Sequence, residues 1–135
     1  MSHQLSFSQM ASYDPGLPGI TIETNLSLSR DTISCEAKID TGATFCIFSR
    51  KIGEDLGLDV ESGLRRKVGT VTGSFVVYLH EVNLSVMSLE FDALVGFAED
   101  DAFQPNVLGR RGFLDQSILG LVDYEGKLFL SSYQG

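Results

Sequence analysis

Asp40, Thr41 and Gly42 stand between one apolar stretch, Ile33 to Ile39, and another, Phe45 to Phe48. An aspartate after a strand and before Thr-Gly is a carboxylate held in a tight turn. Gly42 has no Cβ, so another backbone or a second copy of the loop can come close. The Thr41 hydroxyl is available to lock the loop by hydrogen bonding. The chemistry this suggests is hydrolysis by paired carboxylates that share one proton, one acting as base and the other as acid. The chain carries the tripeptide once, so a catalytic role requires two copies of the chain.

Other reactive side chains invite plainer readings. His3 and His80 are isolated, and no CxxC or HxxxH spacing occurs, so neither a metal nor a cofactor is expected. His80, between Leu79 and Glu81, reads as an exposed sheet residue. Glu99-Asp100-Asp101 reads as a solvated loop. Ser49 is expected to cap a helix and lacks the His and Asp companions of a nucleophile. Asp31-Thr32-Ile33 echoes the Asp40 motif without its glycine, as a hairpin turn would. Cys35 and Cys46 flank the Asp40 loop, and Cys35 alternates with Ile33, Ala37 and Ile39 as a buried small residue does. Two cysteines are no disulfide framework, and free thiols fit a cytoplasmic protein.

The elements that must position Asp40 follow from hydrophobic period. Residues 1–19 are a polar lead-in ending in Asp14-Pro15-Gly16-Leu17-Pro18-Gly19, with Phe7, Met10 and Tyr13 free to pack on the core. Residues 20–135 are expected to form one domain. Ile20, Ile22, Leu26 and Leu28 alternate as a half-buried strand, Arg30-Asp31 turns, and Ile33 to Ile39 return and deliver Asp40. Phe45 to Phe48 predicts a strand buried on both faces. A short helix after Ser49 has Ile52 and Leu56 on one face and Gly57 as its stop. The stretch 65–98 is β-like, with Gly69 and Gly73 bracketing a hairpin tip, Thr70-Val71-Thr72. Asn106 to Arg110 is a second apolar pair ending in glycine. Phe113 and Leu114 begin a helical turn as core residues, and Ile118–Val122 and Lys127–Leu130 are strands joined through Gly126. The prediction is all-β with one or two short helices.

An Asp-Thr-Gly arises by chance in roughly a few per cent of chains this long, and a type I turn explains it without function. Context decides otherwise. Ile39-Asp40-Thr41-Gly42-Ala43, the hairpin Val68-Gly69-Thr70-Val71-Thr72-Gly73, and Val107-Leu108-Gly109-Arg110 occur in the order found in retropepsin-type aspartic proteases, and the sequence resembles that family over about residues 20–130. The resemblance implies a closed, single-lobe β-barrel that acts as a homodimeric endopeptidase. Asp40 from each subunit would form the catalytic dyad. Thr41 would form a reciprocal lock, and Gly42, Ala43 and Thr44 would support the site. Gly69 to Gly73 would be a flap over the substrate, and Val107 to Arg110 would hold the Asp40 loop. Its partners would be a peptide or protein substrate and a second copy of the chain.

Two departures bear on chemistry. Ala43 follows the retropepsin pattern and omits a hydroxyl, which predicts an optimum at about pH 5–6. Thr44 stands where retroviral proteases often carry an acidic residue that pairs with the arginine of the third block, so Arg110 must find another partner or serve the dimer or substrate differently. Arg111 stands where many cellular relatives carry Asp, which changes the local electrostatics. The same fold without cleavage, as a peptide-binding or regulatory module, is the alternative. A formal net charge of −8 disfavours nucleic acid and anionic membrane. The first twenty residues have no basic segment followed by an apolar core, so no signal peptide is expected, and no apolar run reaches the length of a membrane span.

Overall fold

The computed structural model describes residues 1–103 and 106–133. The chain opens with a short strand, β1 (Gln9–Ser12), followed by the Pro-Gly turns. In β2 (Thr21–Leu28) Ile22, Thr24 and Leu26 are buried between exposed Thr21 and Glu23, the period of two that side chains on a pleated strand obey. A turn through Ser29, at φ 55°, leads into β3 (Asp31–Ile39), with register Leu28↔Asp31 through Thr21↔Lys38.

The two-residue β4 (Ile47–Phe48) follows, shorter than the apolar run suggested because Phe45 makes only an isolated bridge to Arg111. Its side chains and Cys46 are buried, as expected. Helix α1 (Arg50–Asp55) is capped by Ser49, whose Oγ accepts from Ile52 N at 3.4 Å, and Gly57 at φ 85° ends it. Arg50 ties the helix to its surroundings through ion pairs with Glu54 (3.1 Å), Asp101 (3.7 Å) and Glu61.

Three strands then form a meander, β5 (Leu64–Thr70), β6 (Gly73–Val86) and β7 (Leu89–Ala98). The two-residue β8 (Val107–Leu108) precedes a 3₁₀ turn at Leu114–Gln116. A hairpin of β9 (Ser117–Val122) and β10 (Lys127–Ser132) ends the described chain, with Gly126 at φ 65° in its connection.

Hydrogen bonding runs in the order β2-β3-β8-β4-β7-β6, and β6 returns to β2 through Thr24↔Val86 to Ser27↔Asn83. That return closes the ring and leaves the barrel without open edges. The fold is therefore the all-β, retropepsin-like one expected, with one α-helix and short 3₁₀ turns. Phe48, Phe97, Phe113, Leu26, Leu84 and Leu108 fill its interior, all fully buried. Leu114, expected in the core beside Phe113, is half-buried against it.

Strand β6 has two tasks along its length. It pairs with β7 only from Val77↔Ala98 onward, while Gly73 to Phe75 pair with β5 alone. The β5–β6 tip is thus a two-stranded arm beyond the barrel wall. A second apolar cluster of Ile47, Val77 and Leu79, with Phe45, Val68, Phe75 and Val107 packed on it, lies at the base of this arm.

Two further sequence expectations change. The lead-in carries strand β1, antiparallel to β10 from Gln9↔Leu130 to Ser12↔Lys127. Tyr13 N donates to Gly126 O (2.8 Å), and the Phe7 ring lies 5.7 Å from Phe129. Backbone pairing fixes this segment, and Gln-Met-Ala-Ser gives little side-chain signal for it. His80 is half-buried rather than exposed, because Val60 on the turn after α1 folds over it. Its Nε2 lies 2.8 Å from Val60 O and its ring 5.9 Å from that of Phe97.

Candidate active site

Strand β3 is clamped between antiparallel β2 and parallel β8, with Lys38↔Val107 and Ile39↔Leu108 in register. Parallel pairing aims both strand ends the same way, so the Asp40 loop and the Gly109 loop leave the barrel side by side. Asp40 N donates to Leu108 O at 3.0 Å, and Asp40 O accepts from Ala43 N at 3.2 Å. The half-buried Asp40 carboxylate is held by its own loop, Oδ1 accepting from Gly42 N at 2.9 Å. Such an aspartate turn fixes the side chain without a neighbouring cation.

The two loops are stitched together. Arg110 N donates to Ala43 O (2.9 Å), and Arg111 N donates to Thr44 O (2.8 Å). A Cβ on Gly109 would stand 2.3 Å from Phe45 O and 2.8 Å from Ala43 O, so only glycine permits this crossing. Cys46 supports it from below. Gly109 N donates to its sulfur at 3.4 Å, and burial pushes the thiol up to about 12. The buried thiol is held protonated and is no nucleophile. Cys35 is half-buried, and its thiol is raised to about 11, chiefly by burial and then by the Glu36 charge. Both cysteines are free.

A cavity of about 390 Å³ opens over Asp40. Asp40, Gly42, Ala43 and Thr44 line one side, and Lys67, Val68, Gly69 and Thr70 of the β5 arm line the other. Phe45, Ile47, Phe75, Phe103 and Val107 make the remainder apolar, the Phe75 and Phe103 rings lying 4.3 Å apart. Among the described residues, Asp40 is the one carboxylate lining it.

Of the sequence candidates, Asp40, Gly42, Ala43, Thr44, Gly69, Thr70 and Val107 meet at this cavity. Leu108 and Gly109 are buried beneath it. Val71, Thr72 and Gly73 form the exposed arm tip, where Thr70 Oγ1 donates to Gly73 O at 3.1 Å and Val71 is fully exposed. Thr41 is exposed and does not line this cavity, and Arg110 lines a neighbouring cavity with Thr44. Sequence reasoning did not single out Lys67, Phe75 or Phe103 for the cleft, nor Cys46 as a support. Phe75 follows the glycine-bracketed tip closely enough to have been found there. Phe103 lies in a loop whose path only the fold reveals. Among the described residues no group of three or more His, Cys, Asp or Glu side chains is placed to hold a metal ion, and no helix is long and apolar enough to cross a membrane.

A ring of strands delivering one Asp-Thr-Gly loop against one Leu-Gly loop defines a retropepsin-like aspartic protease. The chain belongs to the aspartyl protease family, whose profile matches residues 27–121 and so spans the Asp40 loop, the β5–β6 arm and the Gly109 loop. No curated protein matches the chain.

Proposed function

We propose that the chain is half of a homodimeric aspartic endopeptidase, with Asp40 of each subunit forming one catalytic dyad. The observation that carries this reading is a single carboxylate, held by its own loop at the floor of an apolar cleft, with no second carboxylate lining that cleft among the described residues. A monomer then holds one of the two groups the reaction needs. Thr41 is exposed, so its hydroxyl is open to a reciprocal hydrogen bond with the second copy.

Two carboxylates brought within a few ångströms cannot both ionise, and they share one proton. The charged Asp40 takes a proton from water as the water oxygen attacks the scissile carbonyl carbon. The protonated Asp40 of the second subunit gives its proton to the carbonyl oxygen, and a tetrahedral diol results. In the collapse the Asp40 that took the proton from water gives it to the amide nitrogen, and the C–N bond breaks. The now-ionised Asp40 of the second subunit takes one diol proton, which releases amine and carboxylic acid and restores the dyad. The β5–β6 arm serves as a flap, with Gly69 and Thr70 over the substrate and Val71 at its tip. A two-stranded ribbon outside the barrel is marginally stable and suited to opening and closing. The apolar walls accept bulky apolar side chains of a peptide or protein substrate.

Asp40→Asn is the test. It should lower hydrolysis of a diverse peptide pool by about a thousandfold or more while circular dichroism and sedimentation stay unchanged. Full activity in that variant would end the reading.

A further inference from the structure

Beside the cleft lie two cations that form no ion pair among the described residues, although the Asp115 carboxylate lines the same cavity. Arg110 and Arg111 follow Gly109 directly, and their backbone N–H groups are bonded to Ala43 O and Thr44 O. Their backbones are thereby fixed relative to the Asp40 loop, while the side chains extend into solvent. With Thr44, Leu114 and Asp115 they line an open cavity of about 350 Å³. Thr44 also lines the Asp40 cleft, so the two cavities meet at that residue. Neither guanidinium has an ion pair or a side-chain hydrogen bond among the described residues. Thr44 between them and the cleft is neutral, and Asp115 is engaged with its own turn, Oδ1 accepting from Gly112 N at 3.0 Å.

We propose that Arg110 and Arg111 form a carboxylate-binding subsite continuous with the cleft, selecting peptides that place an Asp or Glu side chain, or a free C-terminal carboxylate, near the scissile bond. The inference rests on the reading of the Asp40 cleft as a peptide site. A guanidinium presents a planar fork that matches a carboxylate with two parallel hydrogen bonds, and two adjacent forks leave little of that carboxylate unsatisfied. The net charge of −8 repels acidic peptides at long range. A preference for them must therefore come from a local site. Because both arginines are exposed, the preference is modest, about fivefold to tenfold, and weakens as salt is added.

The probes are two randomised octapeptide libraries, one C-terminally amidated and one with free carboxylates. Capture is measured on Asp40→Asn protein, which needs no cleavage, and hydrolysis on the wild type. The expected result is about fivefold enrichment of Asp and Glu over Asn and Gln at one position of the amidated library. Enrichment confined to the free-acid library assigns the carboxylate to the peptide terminus instead. The double variant Arg110→Gln/Arg111→Gln should bring the ratio to about one. Should that variant fail to fold by circular dichroism, Thr44→Asp, which supplies the arginines with an internal carboxylate, should do the same. Acid-selective capture without hydrolysis would refute the protease reading and leave the subsite standing. Hydrolysis or capture with no acid preference, or a preference that survives in a folded variant, would overturn the subsite alone.

Discussion

At the residue scale, the Asp40 loop depends on a few atoms that admit no substitute. Gly109 is the sharpest case, because a methyl group there would overlap two carbonyl oxygens of the Asp40 loop. Gly109→Ala should therefore lower stability by about 1–3 kcal/mol and lower peptidase activity further, since the loop that must give way carries Asp40. Denaturant unfolding and peptide hydrolysis on the same preparation check both effects. Cys46 offers a separate test of the packing beneath that loop. At about pH 8 iodoacetamide should leave Cys46 unmodified in the folded protein and modify it once unfolded. The sign of the linked pH effect follows from its raised value. The unfolded thiol ionises near 9.0, the folded one near 12. This contribution to stability is complete below pH 9 and is lost as pH rises toward 12. Reactivity of Cys46 equal to that of a free thiol in the folded protein would contradict the buried position.

At the scale of elements, the β5–β6 arm links fold to function. Its base is apolar and its tip polar or exposed, and Phe75 lines the cavity over Asp40, where the proposed function places substrate side chains. Phe75→Ala should raise KM about tenfold for peptides with large apolar side chains, an effect of ~1.4 kcal/mol, and do less to peptides with small ones. Equal effects on both would remove Phe75 from the cleft wall. Much of this level was legible in the sequence. Alternation placed β2 and β3, Ser49 and Gly57 bounded α1, and the glycines at 69 and 73 located the arm tip, because each signal is local. What stayed hidden was non-local. Strand β1 is specified by its pairing with β10, more than a hundred residues away. His80 owes its partial burial to Val60, and Phe103 reaches the cleft through a loop. The Asp40 loop itself was recognisable as a motif, but its fixation by Arg110 and Arg111 backbone N–H groups depends on the parallel β3–β8 pair, which no sequence period announces.

At the scale of the molecule, closure of the barrel and incompleteness of the site stand in contrast. The ring of six strands satisfies its own edges, while one carboxylate among the described residues lines the cleft and the Asp40 loop leaves Thr41 at the surface. On the proposed reading, a fold complete in one chain supports a reaction that is complete only in two. The most direct test of that claim is specific activity measured through a dilution series, with sedimentation velocity on the same samples. Activity per mole of chain should fall in proportion to the dimer fraction and vanish with it. A sedimenting monomer that retains full activity would contradict it.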